Sequence, residues 1–271
     1  MAKIELGRIG AAIGPGAGEA FLDTVIQLED AGYQTIWLAG GQLESLEQVA
    51  AAVRATREAR IGVGIISVDR FDADAVAALY TELEGTHPGR FVVGLGGAHG
   101  PDPFGTLTAY LDRLTAVPPT TQVLAALGPR MLDLARERAA GAYPVLVTPE
   151  YSAQARGRLG TDTTLAVDQL AVLETDPERA RTIARGPLGF LGTLPAYRAN
   201  FRRMGFTDEE IGALSDRLVD ALIAWGDADA IAARVSEHLD AGADHVAIGL
   251  TIEPTVASPL DQWRSVASAL L

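Results

Sequence analysis

The stretch GRFVVGLGGAHG, Gly89–Gly100, decides how the chain is read. Phe91, Val92, Val93 and Leu95 make an apolar run of strand length, broken only by Gly94. A strand that is apolar without alternation is buried on both faces, as in parallel sheets covered by helices. At its far end the side chains stop at Gly96-Gly97-Ala98, and His99 follows, one of 4 histidines in the chain. A buried strand that ends bare and then presents an imidazole points to a site at its carboxyl end.

Similar runs recur on both sides of it. Candidate strands are GRIGAAIG (7–14), TIWLAG (35–40), RIGVGII (60–66), QVLAALG (122–128), PVLVT (144–148), TLAVDQLAVLE (164–174) and HVAIGL (245–250), with FVVGLGG (91–97) among them. Amphipathic segments separate them: Phe21, Val25 and Leu28 share one face, as do Leu46, Val49 and Val53, and Ile231, Val235 and Leu239. Gly32, Gly141 and Gly242 read as helix stops. Thr148-Pro149-Glu150 and Asp176-Pro177-Glu178 read as capped helix starts with Pro at the first position. About eight β/α units in one chain predict an α/β fold, the closed (β/α)8 TIM barrel, as a single domain over 1–271. A helix-rich excursion at 177–227 is expected over the barrel mouth, before the last β/α unit. An open doubly wound sheet would have fewer strands and a phosphate loop after the first; GPGAGEA (14–20) has the wrong glycine spacing and reads as a turn.

Composition removes several function classes. A formal charge of −13 with no basic stripe argues against nucleic-acid partners. No apolar run approaches the roughly 18 residues a membrane helix needs. The start, MAKIELGRIG, has no signal-peptide pattern, so a cytoplasmic location is expected. There is no Cys, and the one Lys, Lys3, precedes the first strand, which disfavours thiol and Schiff-base chemistry.

Barrel chemistry sits at the carboxyl ends of the strands. His87 and His245 lie at the opposite ends, and His238, beside Glu237 and Asp240, reads as a solvated helix face. His99 is left as the catalytic candidate. Gly96 and Gly97 would let a flat ligand approach the backbone; a β-bulge explains the same glycines without one. Gly62-Val63-Gly64-Ile65 repeats the pattern. Leu127-Gly128-Pro129-Arg130, running into a helix at Met131, reads either as a phosphate-holding helix start or as an ordinary loop with Pro in the first turn. A retaining glycosidase needs facing carboxylates, and a metal hydrolase a ligand cluster; neither pattern is present, and no metal is expected. A smooth apolar mouth with one imidazole suits a planar redox cofactor.

Several segments resemble the luciferase-like monooxygenase superfamily, in its branch that uses the deazaflavin coenzyme F420. They are AGYQTIWLAGG (31–41), ARIGVGII (59–66), HPGRFVVGLGGAHGP (87–101), VLAALGPRMLDLARERAAGAYPVLVTPE (123–150) and WGDADAIAARVSEHLDAGADHVAIGL (225–250). The resemblance implies a coenzyme pocket at the carboxyl ends of the strands, with a bulged, non-prolyl cis peptide at Gly64-Ile65 behind the ring. It puts Ala39, Gly40, Val63, Gly64, Ile65, Gly96, Gly97 and Ala98 around the ring, and Leu127, Gly128, Pro129, Arg130, Met131 and Thr148 at the phosphate. His99 falls at the proton donor's place. Many deazaflavin members end the second strand with an acidic residue and a His; this chain has Gly40-Gly41 there. The function implied is hydride transfer between reduced coenzyme and a small enone, imine, carbonyl or alcohol. An FMN-dependent monooxygenase and a non-catalytic coenzyme-binding barrel are the alternatives. Arg130, Arg156 and Arg158 are candidates for the coenzyme's oligoglutamate tail, and a homodimer is a possible assembly.

Overall fold

In the computed structural model, residues 3–253, 256 and 258–271 are described. The strands are β1 (Ile9–Ile13), β2 (Thr35–Ala39), β3 (Arg60–Gly64), β4 (Ile66–Ser67), β5 (Phe91–Gly96), β6 (Gln122–Leu124), β7 (Gly141–Ala142), β8 (Thr164–Leu173), β9 (Ala224–Gly226) and β10 (His245–Leu250). The helices are α1 (Glu19–Asp30), α2 (Glu47–Ala55), α3 (Ala73–Thr86), α4 (Pro103–Arg113), α5 (Pro129–Arg138), α6 (Pro149–Leu159), α7 (Pro177–Leu191), α8 (Pro195–Arg203), α9 (Asp208–Ala213), α10 (Asp216–Leu222), α11 (Ala228–Asp240) and α12 (Pro259–Leu270).

All strand pairs are parallel, and β10 pairs with both β1 and β8, so the sheet closes into a barrel. β3 and β4 together fill one staggered place in it. Gly62 pairs with Val92 and Ile66 with Leu95, so four steps on β3–β4 match three on β5. The extra residue is a bulge between Gly62 and Ile66. The eight-fold β/α barrel expected from the strand pattern is the fold observed.

Both faces of the strands are buried, which accounts for their unbroken apolar runs. Outward side chains such as Ile36, Leu38, Ile61, Val93 and Ile248 pack against the helices. Inward ones, Trp37, Val92, Val123, Tyr143, Ala166 and Ala247, fill the barrel above a plug at Leu6. A separate cluster joins α7–α10 to Leu146, Leu170 and Val172 near the carboxyl end of β8. β9 continues that excursion as a strand, pairing with Ala171–Leu173 of β8 beyond the point where β7 stops.

Two expectations are corrected. The run Pro144–Thr148 is not a strand: only Val145 makes an isolated bridge, to Asp168, and Leu146 has φ 55°. The strand lies earlier, at Gly141–Ala142, and Gly141 is not a helix stop. A Cβ there would meet the Thr164 carbonyl oxygen at 2.3 Å, so glycine is required by close strand approach. The capped starts at Thr148 and Asp176 hold, with each side chain accepting from first-turn amides. Gly32 and Gly242, each at φ 101°, end α1 and α11.

Candidate active site

Side chains two residues apart on a strand point the same way. One step above the inward layer of Trp37, Val92, Val123, Ala166 and Ala247 stand Ala39, Gly94, Ala125, Asp168 and Gly249. The mouth layer is therefore nearly stripped of side chains, apart from Asp168. Its floor is the Trp37–Tyr143 pair, with ring centroids 4.2 Å apart. Gly64 lies against Tyr143, since a Cβ there would approach Tyr143 Cε1 to 2.5 Å.

The glycines around the bulge have a local cause. A Cβ on Gly40 would lie 1.7 Å from the Ile65 carbonyl oxygen, and one on Gly94 2.0 Å from that of Val63. Gly96 and Gly97 leave room for the Ile65 side chain, at 3.2 and 3.3 Å. The bulge thus accounts for Gly40 and Gly94, while Gly96 is set chiefly by Ala125, whose Cβ would lie 2.7 Å away, and Gly97 by Ser67 and its own φ of 70°. The Gly64–Ile65 peptide is cis. Ala39, Gly40, Val63, Gly64, Ile65, Gly96, Gly97 and Ala98 all gather at or beside the carboxyl ends of β2, β3 and β5.

His99 stands on this rim with its side chain 58% exposed. Its backbone N–H donates to Asp69 Oδ2 at 2.8 Å, and ring Nδ1 is 3.4 Å from the same oxygen. Asp69 follows β4, so the bulged strand carries the carboxylate that anchors the His99 backbone and lies beside its ring.

The second part of the site is the start of α5. Gly128 is its N-cap and makes no side-chain cap, so no side chain of the cap residue satisfies the first-turn amides. The Tyr151 hydroxyl reaches the carbonyls of Ala126 and Leu127 at 2.9 and 3.0 Å, fixing the loop that delivers Gly128. Arg130 lies over the Phe104 ring at 4.4 Å. Arg203, from α8, comes within 3.6 Å of where a Gly128 Cβ would be and hydrogen-bonds Asn200 Oδ1. Neither arginine has a carboxylate partner among the described ion pairs. Arg203 also lines a cavity of about 310 Å³ with Thr148, Gln154, Met204 and Phe206. Pro129 has no N–H, and the Met131 N–H bonds the Gly128 carbonyl. The two guanidinium groups and the one open first-turn N–H, that of Arg130, therefore make up the anion cradle, whose cavity Glu150 also lines; Gly128–Met131 and Thr148 border it.

Arg156 and Arg158 do not join them. α6 starts at the mouth with Thr148 and runs back toward the opposite end of the barrel. There Arg156 Nη2 meets Asp244 Oδ2 at 2.5 Å. Arg158 reaches back along α5 instead, its Nε donating to the Pro129 carbonyl at 3.0 Å and to Asp133 Oδ1 at 2.8 Å, so a carboxylate already neutralises it. Lys3 also ends on Asp244.

His238 is not solvated. It is fully buried, with Nδ1 2.8 Å from Ser152 Oγ and Nε2 2.8 Å from Gln169 Oε1. Burial pushes its pKa down to about 4. His245 is buried at the amino end of β10, where Trp37 Nε1 donates to Nε2 at 3.0 Å and Nδ1 faces the Gly7 carbonyl at 2.9 Å. Its pKa is likewise lowered, to about 4, chiefly by burial.

Sequence reasoning missed Asp168, Tyr143 and Arg203. Asp168 Oδ1 and the Tyr143 hydroxyl are sealed from solvent without a hydrogen-bond partner. Asp168 carried a visible signal, a lone carboxylate in the run TLAVDQLAVLE. For Arg203 only the folded excursion gives one.

Residues 6–113, less than half of the chain, match the family model described as luciferase-like monooxygenase. No curated protein matches the sequence. Among solved structures, an F420-dependent secondary alcohol dehydrogenase in complex with an F420–acetone adduct superimposes with TM-score 0.75 at 15% identity, covering 100% of both chains. The coenzyme F420-dependent tetrahydromethanopterin reductase of Methanopyrus kandleri gives 0.70 at 15% identity over 99% of each chain. The oxygenating constituent of 3,6-diketocamphane monooxygenase from Pseudomonas putida, in complex with FMN, gives 0.65 at 12% identity over 97% of this chain and 98% of that one. At these identities the likeness establishes the fold.

Proposed function

We propose that this chain is a coenzyme F420-dependent oxidoreductase, exchanging a hydride with a small enone, imine, carbonyl or alcohol. The observation that carries this reading is the pairing of a side-chain-poor mouth over the Trp37–Tyr143 floor with an anion cradle alongside. A planar ring with a phosphate-bearing arm needs both. The backbone of Ala39, Gly40, Val63, Gly64, Ile65, Gly96, Gly97 and Ala98 would flank the ring. Leu127, Gly128, Pro129, Arg130 and Met131, with Thr148 and Arg203, would take the phosphate. Bound there, a reduced deazaflavin would supply the hydride. The chain's share is to hold the ring against the bulge and fix the reacting distance. His99, with Asp69 beside its ring, serves proton exchange at the rim.

Fluorescence titration with deazaflavin, FMN and NADPH tests this reading. Deazaflavin should bind. Arg203→Ala should weaken it by about 10- to 100-fold, the worth of a charge-assisted contact. Arg158→Ala should leave binding within about threefold, since Asp133 already holds that guanidinium. His99→Ala should lower turnover with coenzyme binding nearly intact; equal turnover defeats its role.

The second reading is an FMN-dependent monooxygenase. It draws on the FMN-bound neighbour and on a cradle that suits either phosphate. FMN binding with oxygen uptake would establish it.

A further inference from the structure

Along β8 the inward positions read Ala166, Asp168, Leu170, so a carboxyl group interrupts an otherwise apolar wall. Burying a carboxylate costs several kcal/mol unless a cation or several donors meet it. None does here. No described ion pair includes Asp168. The titratable groups close to it are Tyr143, which follows β7, and Tyr197 of α8. Gly249 of β10 brings only backbone, its absent Cβ lying 3.4 Å from Oδ1. Oδ1 and the Tyr143 hydroxyl are both sealed, adjacent, and without a partner in good geometry. The residue as a whole is only partly buried, so its accessible oxygen is Oδ2. Buried polar groups that a fold leaves unused call for an explanation. This pair lies at the floor of the mouth, with Tyr143 fixed against both Trp37 and Gly64.

We propose that Asp168 exchanges the proton with the substrate itself at the floor of the mouth, acting through Oδ2 on the oxygen of a neutral ketone or secondary alcohol, with Tyr143 as its positioning residue and His99 left to proton exchange with solvent at the rim. This rests on the oxidoreductase reading above. Burial raises the Asp168 carboxyl to about 7 against the lowering effect of the Tyr143 hydroxyl, so near neutrality it can both give and take a proton. A carboxylate-bearing substrate would bring a second negative charge to a pocket floor with no cation, which is why the class is neutral.

In the reducing direction the carbonyl carbon receives the hydride, with its electron pair, from reduced deazaflavin, and the C=O π bond breaks. The oxygen takes the proton of Asp168, forming the alcohol O–H. Asp168 is left as a carboxylate and recovers a proton from solvent, balanced by the ring proton the coenzyme releases on oxidation. The coenzyme loses two electrons and the substrate gains two.

The test starts with the coenzyme-free full chain, following carboxyl ¹³C resonances across the acid and neutral range. One carboxyl should titrate near neutrality, vanish in Asp168→Asn, and move higher in Tyr143→Phe. If no carboxyl titrates above the ordinary value of about 4, the proposal fails. The second arm follows oxidation of reduced deazaflavin by cyclohexanone. Asp168→Asn should slow it by about 100-fold or more, the scale of general-acid loss, while coenzyme affinity stays within about threefold. Asp168→Glu should recover part of the rate. Tyr143→Phe should displace the pH profile of kcat more than it lowers the maximum. An Asp168→Asn chain that binds coenzyme and keeps its turnover overturns the proposal. If the wild type binds no deazaflavin, the functional reading falls, and the coenzyme-free titration alone decides this inference.

Discussion

The two ends of the barrel interior treat buried polar groups in opposite ways. At the amino end, both nitrogens of His245 are used, one by the Trp37 indole and one by the Gly7 carbonyl. At the carboxyl end, Asp168 Oδ1 and the Tyr143 hydroxyl, in the same lumen, have only each other and no hydrogen bond in good geometry. Trp37 touches both: its N–H points down to His245 and its ring faces Tyr143. A buried hydrogen bond adds only about 1 kcal/mol net, whereas a buried group left unpaired costs about 1–3 kcal/mol. The lower end is thus built for stability and the upper end gives up some of it, as expected where barrel chemistry sits above and fold maintenance below.

The comparison can be broken most directly at its lower end. Trp37→Ala removes the largest inward side chain and the donor to His245, and should cost about 3–5 kcal/mol in urea unfolding. A loss under about 1 kcal/mol would mean the lower lumen is not what holds the barrel. At the upper end the sign reverses. Asp168 has a folded-state pKa of about 7 against roughly 4 unfolded, so the unfolded chain releases its proton first as pH rises. Wild-type stability should therefore fall between those two pH values, and Asp168→Asn should remove that fall. At alkaline pH the variant should be more stable by on the order of 2 kcal/mol, with little difference in acid. A destabilised Asn variant at alkaline pH would place Asp168 among the structural residues.

A smaller effect separates the buried histidines from that carboxyl. His238 and His245 have folded pKa values of about 4, below the unfolded value, so the unfolded chain takes up protons first as pH falls. Each should withdraw roughly 1–2 kcal/mol as pH drops from about 6.5 toward 4. His238→Gln should lower overall stability yet flatten this acid limb by about one proton, read from the pH dependence of the unfolding midpoint. Smallest of all, Gly41→Ala should shift stability by less than about 0.5 kcal/mol, since a Cβ there meets nothing within 4 Å. A large loss would show that this bare corner of the mouth is filled.

The barrel was legible because closure buries both faces of every strand, and the runs at 35–40, 60–66, 91–97 and 245–250 carry that signature plainly. The run at 144–148 misled because its apolar residues pack as irregular backbone, with Val145 and Leu146 meeting the excursion helices. His238 was misjudged from its charged neighbours, although it stands three residues after Val235 and seven after Ile231, on the apolar face of α11. That Arg156 turns to Asp244 and Arg158 is neutralised by Asp133 is not visible in the pattern of α6, because both carboxylates come from other elements. The glycines at Gly64 and Gly96 are legible as bare positions inside apolar runs, where a Cβ would strike Tyr143 and Ala125. Asp168 is not, because a single carboxylate inside an apolar strand identifies itself only once the strand's inward face is known.

β9 gives the excursion a constraint of its own. Its three residues are stitched to Ala171–Leu173, the length of β8 that β7 leaves uncovered. Helices anchored by side chains alone can slide or tilt, but a registered strand pair does not yield in small steps. The side of the barrel where Tyr197 of α8 comes close to Asp168 is then held as a fixed wall rather than a door.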